Sequence, residues 1–239
     1  MKKLILLEYF TSQSSILKSK DKEIFREALN LADSIIRNFI KSRDIEKLYV
    51  IRNKNLKTIE SKKVKTYFTN PKTSYTDILK TFKKKSEVII IAPETNNLSS
   101  KIYSYVSQNH KVLGPNISSL NTFSSKTKML MKLKKLNFPI VENYKLNLNY
   151  KGKIIFKPDI SAGSENTFIT NKSNYKKKKG YLVQKFYNGK KGSFLMLCKN
   201  GKCKVICCNE QILNLKKEQI QQVGCIMGGL EKYRNEIKI

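Results

Sequence analysis

With 239 residues, the chain has room for one large domain or two small ones with a real core. Apolar residues make up 40% of it, which excludes a wholly disordered chain, and no apolar run approaches the length of a membrane span. The formal charge is +30, from 48 Lys+Arg against 18 Asp+Glu.

Lysine supplies nearly all of that charge. The arginines are Arg26, Arg37, Arg43, Arg52 and Arg234, and alanine occurs at positions 28, 32, 92 and 162 only. A joint excess of Lys, Asn and Ile is what AT-rich coding produces. A nucleic-acid reader favours arginine forks with interleaved aromatics. The charge is therefore read as a solvated surface with generic polyanion attraction, and no specific nucleic-acid partner is expected. Met1-Lys2-Lys3 is followed by four apolar residues before Glu8, too few for a secretory leader. The expectation is a soluble cytoplasmic protein with no membrane partner.

In chain order, residues 3–7 read as a buried strand, followed by a Ser/Thr-rich turn and a helix over about 21–41. Its apolar repeat is Ile24, Leu31, Ile35 and Phe39. Strand 48–51, helix 74–84, strand 87–92, helix 98–109 and a short strand at 111–115 follow. Such alternation predicts a parallel α/β sheet whose ligand crevice lies beyond the carboxyl ends of the strands. Glu8 and Glu94 fall there; Glu94 either meets a substrate or caps the helix that follows. His110 reads as a lone surface histidine.

Near residue 120 the texture changes. A lysine-rich helix over 124–136 precedes strand-like runs at 153–157, 167–170, 181–186, 193–199 and 202–208, which predict antiparallel sheet. Asn200-Gly201 is a two-residue hairpin turn that pairs Lys199 with Lys202 and Cys198 with Cys203. Strict alternation then puts Cys207 on the face of Cys203 and Cys208 on the other. The cysteines (198, 203, 207, 208 and 225) lack zinc-site spacing and read as small structural strand residues in a reducing compartment.

The stretch Ile154-Ile155-Phe156-Lys157-Pro158-Asp159 followed by Ser161-Ala162-Gly163-Ser164-Glu165 carries the most chemistry. An apolar strand delivers a lysine, proline stops the ladder, and a small-residue loop follows. Lysine beside free backbone amides suits a phosphate, although the spacing is not that of a Walker loop. A bland edge strand and hairpin loop fits this stretch taken alone.

Its neighbours decide between the readings. Upstream lie Leu113-Gly114-Pro115, Ser125-Lys126-Thr127-Lys128 opening a helix, and Phe138-Pro139-Ile140-Val141. Downstream lies Tyr181-Leu182-Val183-Gln184-Lys185-Phe186-Tyr187-Asn188-Gly189. In this order the segments resemble the ATP-grasp ligases. Residues 6–9, 91–94, 209–211 and 223–225 are further similar to an archaeal branch that includes the tyramine–glutamate ligase of methanofuran biosynthesis.

The resemblance implies an ATP-grasp fold, α/β plus α+β. A Rossmann-like N-terminal domain would cover residues 1–120 and the ATP-grasp domain 121–239. It implies a ligase that joins a carboxylate to an amine through an acyl phosphate, with ATP and Mg²⁺. By motif position, Lys126 and Lys157 would contact the ATP phosphates. The loop with Asp159, Gly163, Ser164 and Glu165 would close over them. Gln184, Lys185 and Phe186 would line the adenine, and Glu8, Glu94 and Asn209 are candidate substrate contacts. No catalytic residue is assigned.

Two features depart from the family pattern. An acid expected near residue 190 for the ribose is replaced by Lys190 and Lys191. The closing Glu-x-Asn metal motif is missing, since Glu231 and Glu236 are the late acids and the order is Asn235-Glu236. The Mg²⁺ ligands are therefore unassigned, and the chain reads as shortened at its C-terminal end. A non-catalytic nucleotide- or partner-binding remnant is the second reading, and a homo-oligomer is left open.

Overall fold

A computed structural model describes residues 1–15, 22–141, 152–171 and 178–236. The chain divides into two compact units, Met1–Ser124 and Ser125–Ile239.

The first unit is built on β1 (Lys2–Glu8), β2 (Ile45–Asn53), β3 (Val64–Thr69), β4 (Glu87–Ile91) and β5 (Lys111–Val112). They form one parallel sheet in the order β3-β2-β1-β4-β5. The central strand β1 carries apolar side chains on both faces, as a parallel strand covered on both sides requires. Ile5 and Leu7 enter one core with Ile78 and Leu79 of α2 (Tyr75–Lys80) and Ile102 and Val106 of α3 (Leu98–Ser107). Leu4 and Leu6 enter the other with Ile36 of α1 (Lys22–Lys41). A further helix, α4 (Ile117–Phe123), closes the unit.

Several expectations need correction here. The buried stripe of α1 is Ala28, Ala32 and Ile36, while Ile24 and Leu31 are exposed. Small alanines let the helix backbone lie close to the sheet, so they take the inward face despite their weak hydrophobicity. Asp21, the expected helix start, lies outside the described residues. His110 is buried rather than on the surface, with its Nε2 3.2 Å from the Leu79 carbonyl oxygen. Glu94 makes no side-chain capping bond. Strand β3 was not anticipated.

The second unit opens with α5 (Lys126–Lys135), whose N-cap Ser125 accepts a hydrogen bond from the Lys128 amide. Strands β6 (Lys153–Pro158), β7 (Thr167–Asn171), β8 (Tyr181–Lys185), β9 (Gly192–Lys199), β10 (Lys202–Lys216) and β11 (Gln219–Ile226) follow. They form one antiparallel sheet in the order β8-β6-β7-β11-β10-β9. Its core lies on the face of Ile154 and Phe156, with Phe168, Tyr181 and Val183. Residues 153, 155 and 157 consequently turn to the opposite face.

The Asn200-Gly201 hairpin forms in the expected register. Beyond it a bulge intervenes: Val205 pairs with Met196 and Cys207 with Leu195, leaving Ile206 without a partner. One inserted residue reverses the alternation. Cys208, not Cys207, therefore shares the face of Cys203. Of the five thiols, Cys208 is the buried one, whereas Cys198, Cys203 and Cys225 are exposed, so the reading of all five as packed strand residues holds for Cys208.

Arg234 caps the bulge. Its Nη1 donates to the Val205 carbonyl at 2.8 Å and Nη2 to the Ile206 carbonyl at 3.0 Å. The short 3₁₀ turn Glu231–Glu236 that carries Arg234 is thereby fastened to β10.

Candidate functional site

The exposed face of β6, β7, β11 and β10 floors a cleft of about 760 Å³, contained within the second unit. Ile155, Ile169 and Ile220 supply its apolar floor. Lys126, Lys153, Lys157, Lys185, Lys190 and Lys191 line it, with Gln184, Gln211, Asn214 and Gln222 among the polar groups. Among the described residues, no carboxylate lines it. A volume in the range of small-molecule sites, with an apolar floor and a cationic rim, suits a planar ring joined to a polyanion.

The two lysines singled out in the sequence arrive from different elements. Lys157 stands on β6, where alternation aims it at the cleft, and its Nζ donates to Gln184 Oε1 at 3.1 Å. Gln184 is buried on β8, and its amide nitrogen donates onward to the Val141 carbonyl. This chain fixes the lysine from behind. Burial, and then the charge of Lys126, hold the Lys157 pKa below its ordinary value of 10.5. A half-buried ammonium near a second one calls for an anion.

Lys126 opens α5. Its Nζ donates to the Pro158 carbonyl at 2.9 Å, and to the Ser161 carbonyl at 2.9 Å and hydroxyl at 3.0 Å. It thus ties the helix to the root of the small-residue loop. In that loop Gly163, Ser164 and Asn166 take φ of 62°, 61° and 50°. Three left-handed residues in four curl the backbone, and Gly163 is where the absent Cβ makes this easiest.

Asp159 faces α5 rather than the cleft. Its Oδ1 accepts from the Thr127 amide and its Oδ2 from the Ser125 hydroxyl, both at 2.7 Å. Burial works against its charge, yet the bonds from Ser125 and Thr127, with Lys126 nearby, hold its carboxyl below the ordinary value. Glu165 is exposed and outside the lining.

The other candidate residues are dispersed. Lys185 and Phe186 line the end of the cleft where β8 gives way to the Tyr187-Asn188-Gly189 segment. Glu8 is buried, and its two oxygens accept the Phe10 and Thr11 amides at 3.1 and 2.7 Å, so its carboxylate stabilises its own turn. Glu94 is exposed in the first unit. Asn209 Oδ1 accepts from the Cys207 thiol at 2.8 Å and the Gly228 amide at 3.3 Å, a fastening of the chain after β11. Lys153 was missed, though period 2 along β6 puts it on the face of Lys157. Gln211 belongs to the 209–211 segment of the resemblance, whereas Asn214 and Gln222 gave no signal beyond being polar.

Lys190 lies 5.3 Å from the centre of the Tyr233 ring. Its hydrogen bond with Tyr233 raises the lysine and lowers the phenol from their usual pKa values. Among the described residues no group of three or more His, Cys, Asp or Glu converges as a metal site. Glu231 is engaged by the Arg234 guanidinium at 2.6 Å and the Cys208 amide at 2.8 Å, the bond to Arg234 being the larger cause of its lowered pKa. Mg²⁺ demands an octahedron of oxygens, commonly anchored by carboxylates. The described residues do not fit it.

Residues 123–238 match a family model described as an ATP-grasp domain. Solved structures agree over more of the chain. An ATP-grasp superfamily protein of Archaeoglobus fulgidus superposes with a TM-score of 0.70 at 18% identity, covering 99% of this chain and 69% of that one. D-alanyl-alanine synthetase A of Vibrio cholerae gives 0.56 at 14%, over 89% and 67%. Carboxyaminoimidazole ribonucleotide synthase of Aspergillus clavatus, complexed with ATP, gives 0.53 at 13%, over 89% and 55%. A search of curated proteins found no match. The fold is that of the ATP-grasp proteins. The lysine-lined cleft lies inside the stretch that the ATP-grasp domain model matches.

Proposed function

We propose that the cleft binds ATP and that the chain is an ATP-dependent carboxylate–amine ligase. The observation that carries the first part is the convergence of Lys126 and Lys157 beside a left-handed small-residue loop, over an apolar floor, within the matched domain. In this reading the triphosphate lies against the two lysines, under the loop of residues 161–166. The base rests toward Lys185 and Phe186. Gln184 is a positioning residue, since it holds Lys157.

In the proposed reaction a substrate carboxylate oxygen attacks the terminal phosphorus, the bond to the bridging oxygen breaks, and ADP leaves. An amine then attacks the acyl carbon and displaces phosphate, giving amide, ADP and phosphate with one proton released from the amine. The protein contributes position and charge neutralisation.

A narrower reading takes glutamate and an aromatic amine such as tyramine as the pair. It rests on the resemblance of residues 6–9, 91–94, 209–211 and 223–225 to the tyramine–glutamate branch. The alternative, a nucleotide-binding protein without turnover, is favoured by the lack of converging carboxylates among the described residues. The cleft-lining Lys190 and Lys191 fit either reading.

The deciding experiment measures ADP release with Mg²⁺, ATP, glutamate and a panel of amines. Release that requires both carboxylate and amine supports the ligase. ATP binding with no release under any pairing supports the alternative.

A further inference from the structure

The tip of the β9–β10 hairpin carries two thiols that the proposed ligase does not use. Cys198 and Cys203 are direct cross-strand partners. Between them lie Lys199 and Lys202 and the turn residues Asn200 and Gly201, whose φ of 50° and 75° fit a mirror-image two-residue turn. Such a turn fixes the register. The pair adjoining it is hydrogen-bonded, and the next pair, here the two cysteines, is the non-hydrogen-bonded kind whose side chains stand closest. The sulfurs approach to 2.6 Å as thiols, and both residues are exposed. The hydrogen bond between the two sulfurs raises the Cys198 pKa above its ordinary value. The other three cysteines differ. Cys207 bonds to Asn209, Cys208 is buried, and Cys225 lies opposite Gln211 on another strand.

We propose that Cys198 and Cys203 form a dithiol–disulfide modification site, oxidised by exchange with a low-molecular-weight disulfide. The Cys203 thiolate attacks one sulfur of the incoming disulfide, whose S–S bond breaks and releases a first thiolate. The Cys198 thiolate then attacks Cys203 Sγ, the mixed disulfide breaks, and a second thiolate leaves. Two cysteine thiols are oxidised to one bridge, one external disulfide is reduced to two thiols, and the two cysteine protons pass to the leaving groups. The pair needs little backbone movement to close, because the turn already sets its register.

The test uses the full chain, reduced and desalted, then exposed to glutathione disulfide and quenched with N-ethylmaleimide. Trypsin cuts after Lys199, Lys202 and Lys204, so the Cys198 and Cys203 peptides stay joined only through a bridge. The expected result is the 198–203 bridge as the main oxidised species, reversed by dithiothreitol. In Cys198→Ser, Cys203 should accumulate as its glutathione adduct. Adducts on both cysteines of the wild-type chain without bridging would overturn the proposal. So would bridges made mainly to Cys225 or to a second chain, or full alkylation of both thiols after oxidant.

Discussion

Gln184 illustrates how one buried amide can govern a charged site. It takes Lys157 Nζ on its oxygen and gives its NH₂ to the Val141 carbonyl, so both ends are satisfied inside the fold. Gln184→Ala leaves the lysine without its acceptor and the carbonyl without its donor. The variant should lose about 1–3 kcal/mol of stability in urea titration and bind ATP roughly tenfold more weakly, the latter a loss of about 1.4 kcal/mol. Lys157 adds a pH signature. Its folded pKa lies below the unfolded 10.5, so the unfolded chain holds the proton more tightly. The cost of burying its charge is therefore present at neutral pH and relieved as pH rises through the folded value toward 10.5. Relative to Lys157→Met, wild-type stability should climb across that alkaline window; a flat difference would refute the assigned burial. The sequence shows Lys157 because Pro158 and the small-residue loop frame it. It cannot show Gln184 as the lysine's partner, since that bond joins positions 27 residues apart.

Elements in the second unit are fastened at their ends by side chains from elsewhere. Asp159 binds the first turn of α5 through the Thr127 amide and the Ser125 hydroxyl, where a carboxylate also meets the positive end of the helix. Asp159→Ala should cost about 1–2 kcal/mol at neutral pH, read by chemical unfolding. The folded pKa of Asp159 is lowered, so this stabilisation is present above the unfolded value of 3.8 and is lost as pH falls through the folded one. The gap between wild type and variant should close in that acidic range. At the other end of the sheet, Arg234 holds two carbonyls at the Ile206 bulge and orients Glu231 toward the Cys208 amide. Arg234→Lys keeps the charge but not the planar fork. The Cys208 amide should then exchange hydrogen faster, and unchanged protection would count against the clasp. The bulge itself was invisible in the sequence: Val205-Ile206-Cys207 is an unbroken apolar run, with no glycine to mark an inserted residue. The Asn200-Gly201 turn was legible because both its positions take positive φ. Strand β11 was not, because Gln219, Gln221 and Gln222 hide its apolar members until β10 pairs with it.

At the scale of the whole molecule, the +30 charge and the cleft are connected without being the same thing. Lysine spread by composition makes a generic field for polyanions. The cleft differs because burial and Gln184 hold Lys157, and because the loop root holds Lys126. Binding of nucleic acid should therefore collapse with moderate salt, while ATP binding weakens but persists. The alternation of strand and helix made the parallel first unit legible, apart from β3, where Lys65 interrupts an otherwise β-branched and aromatic strand. The cleft was half legible: its two framed lysines and the loop stood out, but its floor is assembled from four strands. Calorimetric titration of ATP into the wild-type chain and into Lys157→Ala tests the central claim most directly. The account predicts saturable one-to-one binding to the wild-type chain and at least about a tenfold loss in the variant. No heat of binding to wild type at millimolar ATP, or equal affinity in the two proteins, would contradict it.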